Sequence, residues 1–165
     1  MNSKTYSQLA NAAIPLDERA ALIASAQELK RAALAGKTRP LLRGKNIGLL
    51  CEGRERGDAE LFHRAATELG ARVACIEPKL STLPTGKDVQ VTVRVLSRLY
   101  DAIECEGLSG ELLQQVRAEA DVPVYDGVAC ANHPTAALAA SLSGGVADTD
   151  NRRYVLQALL LSTMG

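Results

Sequence analysis

The run Asn46-Ile47-Gly48-Leu49-Leu50-Cys51 decides how the chain is read. It is a short apolar run with no polar face, which suits a strand covered on both sides, as in a parallel sheet. The residues after it fit that reading. A helical stretch over roughly 57–69 stops at Gly70, and Arg72-Val73-Ala74-Cys75-Ile76 reads as a second strand ended by Pro78. The stretch 79–87, with Pro84 and Gly86, reads as a loop. Val89, Val93, Leu96 and Leu99 then support a helix, and Tyr100-Asp101-Ala102-Ile103-Glu104 a third strand. Leu112, Leu113 and Val116 mark a helix near 109–120. Val122-Pro123-Val124-Tyr125 follows as a short strand, with Pro123 suiting an edge or a strand start. A helix begins near Pro134, where proline fits a first turn. Upstream, Ala20, Leu22, Ile23, Ala26, Leu29, Ala33 and Leu34 repeat at helical spacing, between an N-cap at Asp17 and a stop at Gly36. The expected fold class is therefore α/β: a parallel sheet of about four strands flanked by helices.

The chain has 165 residues, 47% of them apolar, enough for one domain with its own core. Acids and bases balance at 19 each and aromatics make up 3%, which argues against nucleic acid as a partner. Residues 1–8 carry no apolar signal segment, and no apolar run approaches the roughly 20 residues that cross a bilayer. A soluble, cytoplasmic protein with no membrane partner is expected. The cysteines Cys51, Cys75, Cys105 and Cys130 are widely spaced, with no Cys-x-x-Cys pair, so neither a metal site nor a cofactor is expected. His63 and His133 lie far apart and make a weak metal case; His63, within a helix, reads as a surface or packing residue.

In a parallel sheet, ligands gather beyond the carboxyl ends of the strands. That edge holds 51–56, 104–107 and 127–135. Cys51, Cys105 and Cys130 all fall there. They are candidate thiols that could converge on one cleft, with Arg54, Arg56 and His133 available to lower a thiol pKa; otherwise they are buried, inert sulfurs. The segment 143–150 is small and polar and reads as a linker. It leads to a last helix over 151–164 whose apolar face carries Val155, Leu156, Leu159 and Leu160.

Several passages resemble the ornithine and aspartate carbamoyltransferase family, with ornithine carbamoyltransferases the nearer. Pro40-Leu41-Leu42-Arg43-Gly44-Lys45-Asn46-Ile47 is similar to the lead-in to the family's first strand. Arg94-Val95-Leu96-Ser97-Arg98-Leu99-Tyr100-Asp101 resembles its Arg-Val-Leu-Ser/Gly-Arg-Met-Tyr-Asp run. Val122-Pro123-Val124-Tyr125-Asp126-Gly127 resembles its Val-Pro-Val-Trp/Tyr-Asn-Gly strand, and His133-Pro134-Thr135 its His-Pro-Thr-Gln motif. Residues 150–165 look like the family's final helix, which returns to the first domain. The resemblance implies that 1–142 is the carbamoyl-phosphate half, that 143–150 stands as a linker in place of the amino-acid-binding half, and that 151–165 packs back on the same domain. It also implies a homotrimer, in which a loop at about 81–87 reaches the neighbouring subunit.

The departures matter as much as the matches. The family grips phosphate with Ser-x-Arg-Thr-Arg, through backbone amides and arginine forks. The aligned stretch here includes Arg54, Glu55, Arg56, Gly57 and Asp58. It reads either as a charged turn capping a helix or as an anion site partly restored by Arg54 and Arg56. The family's arginine that polarises the carbamoyl carbonyl is matched by Glu106 in a Glu106-Gly107 pair. Glu106 is expected as a solvated loop carboxylate, or alternatively as a group that binds an amine. The glutamine after His-Pro-Thr is replaced by Ala136, which has no polar group. His133 stays open as a ligand donor or as part of a helix start with Pro134 and Thr135. Two functions follow from this reading. One is a domain without transferase activity of its own that binds a small-molecule ligand or a protein partner, a full-length carbamoyltransferase included. The other is a related enzyme with altered chemistry built on His133, Glu106 or a cysteine.

Overall fold

In the computed structural model, described over residues 16–51, 56–142 and 148–165, four short strands make one parallel sheet. They are β1 (Asn46–Cys51), β2 (Arg72–Ile76), β3 (Ala102–Glu106) and β4 (Val124–Asp126), in the order β2-β1-β3-β4. The helices are α1 (Leu16–Leu34), α2 (Arg56–Glu68), α3 (Gly86–Leu99), α4 (Gly110–Glu119), the short α5 (Pro134–Leu138) and α6 (Asp148–Met164). The loop expected over 79–87 contains one 3-10 turn, Leu80–Thr82.

Local chemistry sets most boundaries. Thr85 caps α3 by accepting the Asp88 N–H, and Ser109 caps α4 by accepting that of Leu112. Gly70, between α2 and β2, has φ of +86°, and a Cβ there would lie 2.7 Å from Pro40 Cβ. Three element starts differ from the sequence reading, one of them β4, which begins at Val124 rather than Val122. β3 begins at Ala102 rather than Tyr100, because Tyr100 closes α3 and the Asp101 carboxylate accepts the Asn46 N–H at 2.8 Å. The strand consequently runs on to Glu106. α6 begins at Asp148 rather than Asn151, its first turn taking in the acids that read as linker. Pro123 precedes the edge strand β4, and its carbonyl accepts the Ile103 N–H.

Strand alternation splits the core in two. Ile47, Leu49, Ala102 and Tyr125 face α1, α2 and α6, whereas Leu50, Ile103, Cys105 and Val124 face α3 and α4. α6 packs on α1 and α2, and between 151 and 160 every residue but Arg152 is buried. A helix buried on nearly all sides needs partners for its polar groups. Lys30 Nζ donates to Asn151 Oδ1 at 3.0 Å, and Gln157 Nε2 to the Ala65 carbonyl at 3.2 Å and Glu68 Oε2 at 3.0 Å. Arg153 forms ion pairs with Glu68 and Asp150. The Tyr125 and Thr163 hydroxyls bond to each other, tying β4 to the end of α6.

If α6 is part of one cooperative core, Leu160→Ala should lower stability by about 3 kcal/mol. Leu160 is fully buried, whereas the exposed Leu34 should tolerate alanine within about 0.5 kcal/mol. Urea unfolding of both variants checks this, and equal midpoints would count against it.

Candidate functional site

The strand order creates a crevice. β1 connects to β2 through α2 on one face, while α3 and α4 carry the chain from β2 to β3 and from β3 to β4 on the other. The winding reverses between the adjacent strands β1 and β3. In open α/β sheets such a reversal leaves a gap at the carboxyl ends of the strands, where ligands bind. The last paired residues there are Cys51 and Glu106.

Glu104 and Glu106 sit two apart on β3, so they share the face that meets α2 and α6. Glu104 is fully buried and is a brace. Its Oε1 accepts the Gly127 N–H at 2.5 Å and its Oε2 the Val128 N–H at 3.4 Å. Gly127 has φ of +55°, and a Cβ there would meet Cys130 Sγ at 3.0 Å, so this turn requires glycine. Burial first, then the charge of Glu106, raises the Glu104 pKa well above the carboxylate range, against the two amides.

Glu106 overturns the expectation of a solvated loop carboxylate. It belongs to the strand and is only 6% exposed. Its Oε1 is buried and has no hydrogen-bond partner among the described residues. Burial, followed by the Asp58 carboxylate in the first turn of α2, pushes its pKa up to about 7.

The three candidate thiols do not converge. Cys105 is buried in the other core, against α3 and α4. Cys51 and Cys130 do reach the crevice, but burial and carboxylates dominate their surroundings, not cations. The Cys51 pKa is raised to about 11, by burial and then by Glu106. That of Cys130 is raised to about 12, by burial and by donating its proton to Asp58. Both are therefore neutral thiols near pH 7, which removes the nucleophile the sequence reading allowed. Arg54 and Glu55 lie outside the described residues, and the backbone of Arg56 and Gly57 opens α2.

His133-Pro134-Thr135 forms the start of α5, with His133 as N-cap and Pro134 in the first turn. His133 Nδ1 accepts the Thr135 N–H at 3.2 Å and lies 2.8 Å from the Thr135 hydroxyl. That hydroxyl donates to the Val128 carbonyl at 3.0 Å. Nδ1 is thus used within the motif, and Nε2 is the ring nitrogen left for a ligand. Burial, then the Arg117 charge, lowers the His133 pKa to about 4, so the ring is neutral at pH 7. Arg117 also opposes the burial-driven rise of Asp126. His133 borders a cleft of about 400 Å³ shared with Asn132, Ala136 and Arg152. Sequence reasoning missed Arg117 and Arg152. Arg152 bonds the Ala129 carbonyl, and its position near the start of the last helix was the one available hint. His63 is exposed, on α2.

The Glu106 shift has a defined sign. Its folded pKa of about 7 lies above the ordinary 4.5, so between those values the folded state holds a proton that the unfolded state releases. Stability from this group therefore falls as pH rises through that window. His133 acts oppositely between about 4 and 6.5, but does so equally in both proteins of a comparison. Glu106→Gln should exceed the parent by under about 1 kcal/mol at pH 5 and by up to about 3 kcal/mol at pH 8. Calorimetric melting across pH 5–8 measures the difference, and a variant less stable at pH 8 would show that the carboxylate is paired.

Relatives carry the same framework. Residues 8–143 match the family model for the aspartate/ornithine carbamoyltransferase carbamoyl-P binding domain. The catabolic ornithine carbamoyltransferase of Burkholderia mallei is 39% identical over 118 residues, 72% of this chain and 35% of the relative. The ornithine carbamoyltransferase structure from Pyrococcus furiosus superimposes with a TM-score of 0.65 at 26% identity, over 76% of this chain and 40% of that one. A putative aspartate carbamoyltransferase structure from Leishmania major gives 0.64 at 27% identity, over 79% of this chain and 41% of that one. The chain spans about a third of the length of the curated relatives it matches. With most of its residues matched and its sheet shared with these structures, the chain belongs to the aspartate/ornithine carbamoyltransferase family, in the region of the carbamoyl-P binding domain.

Proposed function

We propose that this chain is a carbamoyltransferase-derived domain that binds a small molecule or a partner subunit and does not transfer a carbamoyl group by itself. The observation that carries this reading is Glu106: an almost fully buried carboxylate at the switch point, where the family resemblance implies a carbonyl-polarising arginine. A negative charge there opposes a developing oxyanion and repels a phosphate dianion, and low local polarity strengthens both effects. Ala136, on the His133 cleft, supplies no amide contact in place of the family glutamine. A single segment, 143–147, links 1–142 to α6, and we read it as standing where the amino-acid domain would be. A second reading, altered chemistry in the same crevice, draws on the near-neutral pKa of Glu106, a value suited to general acid–base catalysis.

The proposal includes a cytoplasmic homotrimer. Val91, Val95 and Leu99, spaced i, i+4, i+8 along α3, are 54%, 49% and 61% exposed. They form an apolar stripe directly after the 81–87 loop, and a contiguous exposed apolar surface favours a partner. The same face suits a full-length carbamoyltransferase as partner in a mixed assembly. The four cysteines are free thiols, in keeping with a reducing compartment. Among the described residues no helix is long and apolar enough to cross a membrane.

Steady-state assays with carbamoyl phosphate and either ornithine or aspartate should give no product above background; formation of citrulline or carbamoyl-aspartate would refute the reading. Light scattering should give three chains per particle, and Val95→Glu should reduce this to one. A monomeric parent at high micromolar concentration would refute the trimer.

A further inference from the structure

We propose that the crevice between β1 and β3 binds an organic cation, with a primary ammonium group held between the carboxylates of Glu106 and Asp58. The proposal rests on the reading that the site has lost its transferase role, and it names the class of ligand that site takes.

Buried polar groups in folded proteins are almost always hydrogen-bonded, and leaving one unpaired is destabilising. Glu106 is 6% exposed, and its Oε1 has no partner among the described residues. It ends β3 beside Cys51, at the point where the winding of the sheet reverses. Such a group in such a place calls for a ligand that donates hydrogen bonds and carries positive charge. An ammonium has three donors and no acceptor.

The surroundings agree. From α2, Asp58 faces Glu106 closely enough for the two charges to repel, and the Cys130 thiol orients Asp58 by donating to it. A cation placed between the two carboxylates would turn that repulsion into attraction for both. Cys51 from β1 and Cys130 from the segment after β4 stand near the two carboxylates as neutral thiols. Glu104, one pleat further back, has both its oxygens occupied by backbone amides and so leaves Glu106 as the carboxylate with an open acceptor on this face. The cation Arg117 is coupled to Asp126 and His133, away from this pair. Among the described residues no cluster has the spacing of a metal site, which favours an organic cation over a metal ion.

Binding should follow the ionisation of Glu106. Among the described residues, Asp58, Cys51, Cys130 and Glu104 are the titratable groups coupled to it; the two thiols are neutral, and the Asp58 carboxylate opposes a second negative charge until a cation arrives. Affinity should therefore fall about tenfold between pH 8 and pH 6.

Isothermal calorimetry on the full chain at low salt, with methylamine, butylamine and 1,4-diaminobutane as probes, tests this. At least one amine should bind one to one at pH 8, about tenfold more weakly at pH 6. Neutral 1,4-butanediol should not bind. Glu106→Gln should weaken amine binding at least tenfold while melting no lower than the parent, and Asp58→Asn should also weaken it. The surface variant Glu28→Gln should leave binding unchanged. The inference is overturned if none of the three amines binds, or if Glu106→Gln binds as well as the parent. Tight binding of carbamoyl phosphate, or citrulline formation, would instead overturn the loss of transferase function, an outcome that the amine titrations do not affect.

Discussion

The burial of α6 is the constraint on which the rest of this structure depends. Between 151 and 160 this helix is enclosed by α1, α2 and the sheet, and it supplies Tyr154, Val155, Leu156, Leu159 and Leu160 to the larger core. Without it, one face of the sheet and the inner sides of α1 and α2 would be open apolar surface. A helix so enclosed cannot leave its polar groups dry. Lys30, Glu68 and the Ala65 carbonyl answer Asn151, Arg153 and Gln157, so the match between the helices is chemical as well as steric. Pairing a buried charge adds little net stability compared with an apolar contact, but breaking the pair is costly, which fixes the register of α6 on its neighbours.

That fixed layer shapes the crevice. α2 starts above the β1–β3 gap, and its first turn brings Asp58 over Glu106. The Glu104 brace closes the floor by binding the turn at Gly127 and Val128 to β3. The result, among the described residues, is a strand end with low solvent access and a surplus of carboxylates. In such a setting, charge decides which ligand can enter, because electrostatic energies grow as water is excluded. Burial first, and then the same carboxylates, hold the neighbouring thiols neutral, so neither is a ready nucleophile near pH 7.

Much of the architecture was legible in the sequence. The short apolar runs at 46–51 and 72–76, the helix stops at Gly36 and Gly70 and the proline before β4 each carry a local physical signal. The apolar spacing at 155–160 added the last helix. Boundaries failed where side chains serve two elements at once: Asp101 bonds the start of β1, so β3 begins later than its apolar pattern suggests. The site was less legible. The strand ends at which it was expected follow from the alternation of strands and helices, and the structure places Cys51 and Glu106 there. Glu106 was taken for a surface loop, and Cys105 for a cleft residue, because burial and facing are set by neighbours distant in sequence.

The sequence by itself determined the class of fold, the family and the chemical departures from it, because periodicity, caps and motifs are properties of neighbouring residues. Only the tertiary structure decided which of the carboxylates are dry, which thiols face them and where a charge stands unpaired. Those are matters of solvent exclusion and through-space distance. Glu106 owes its character first to burial and then to Asp58, which lies in a different element, and no linear pattern records that meeting.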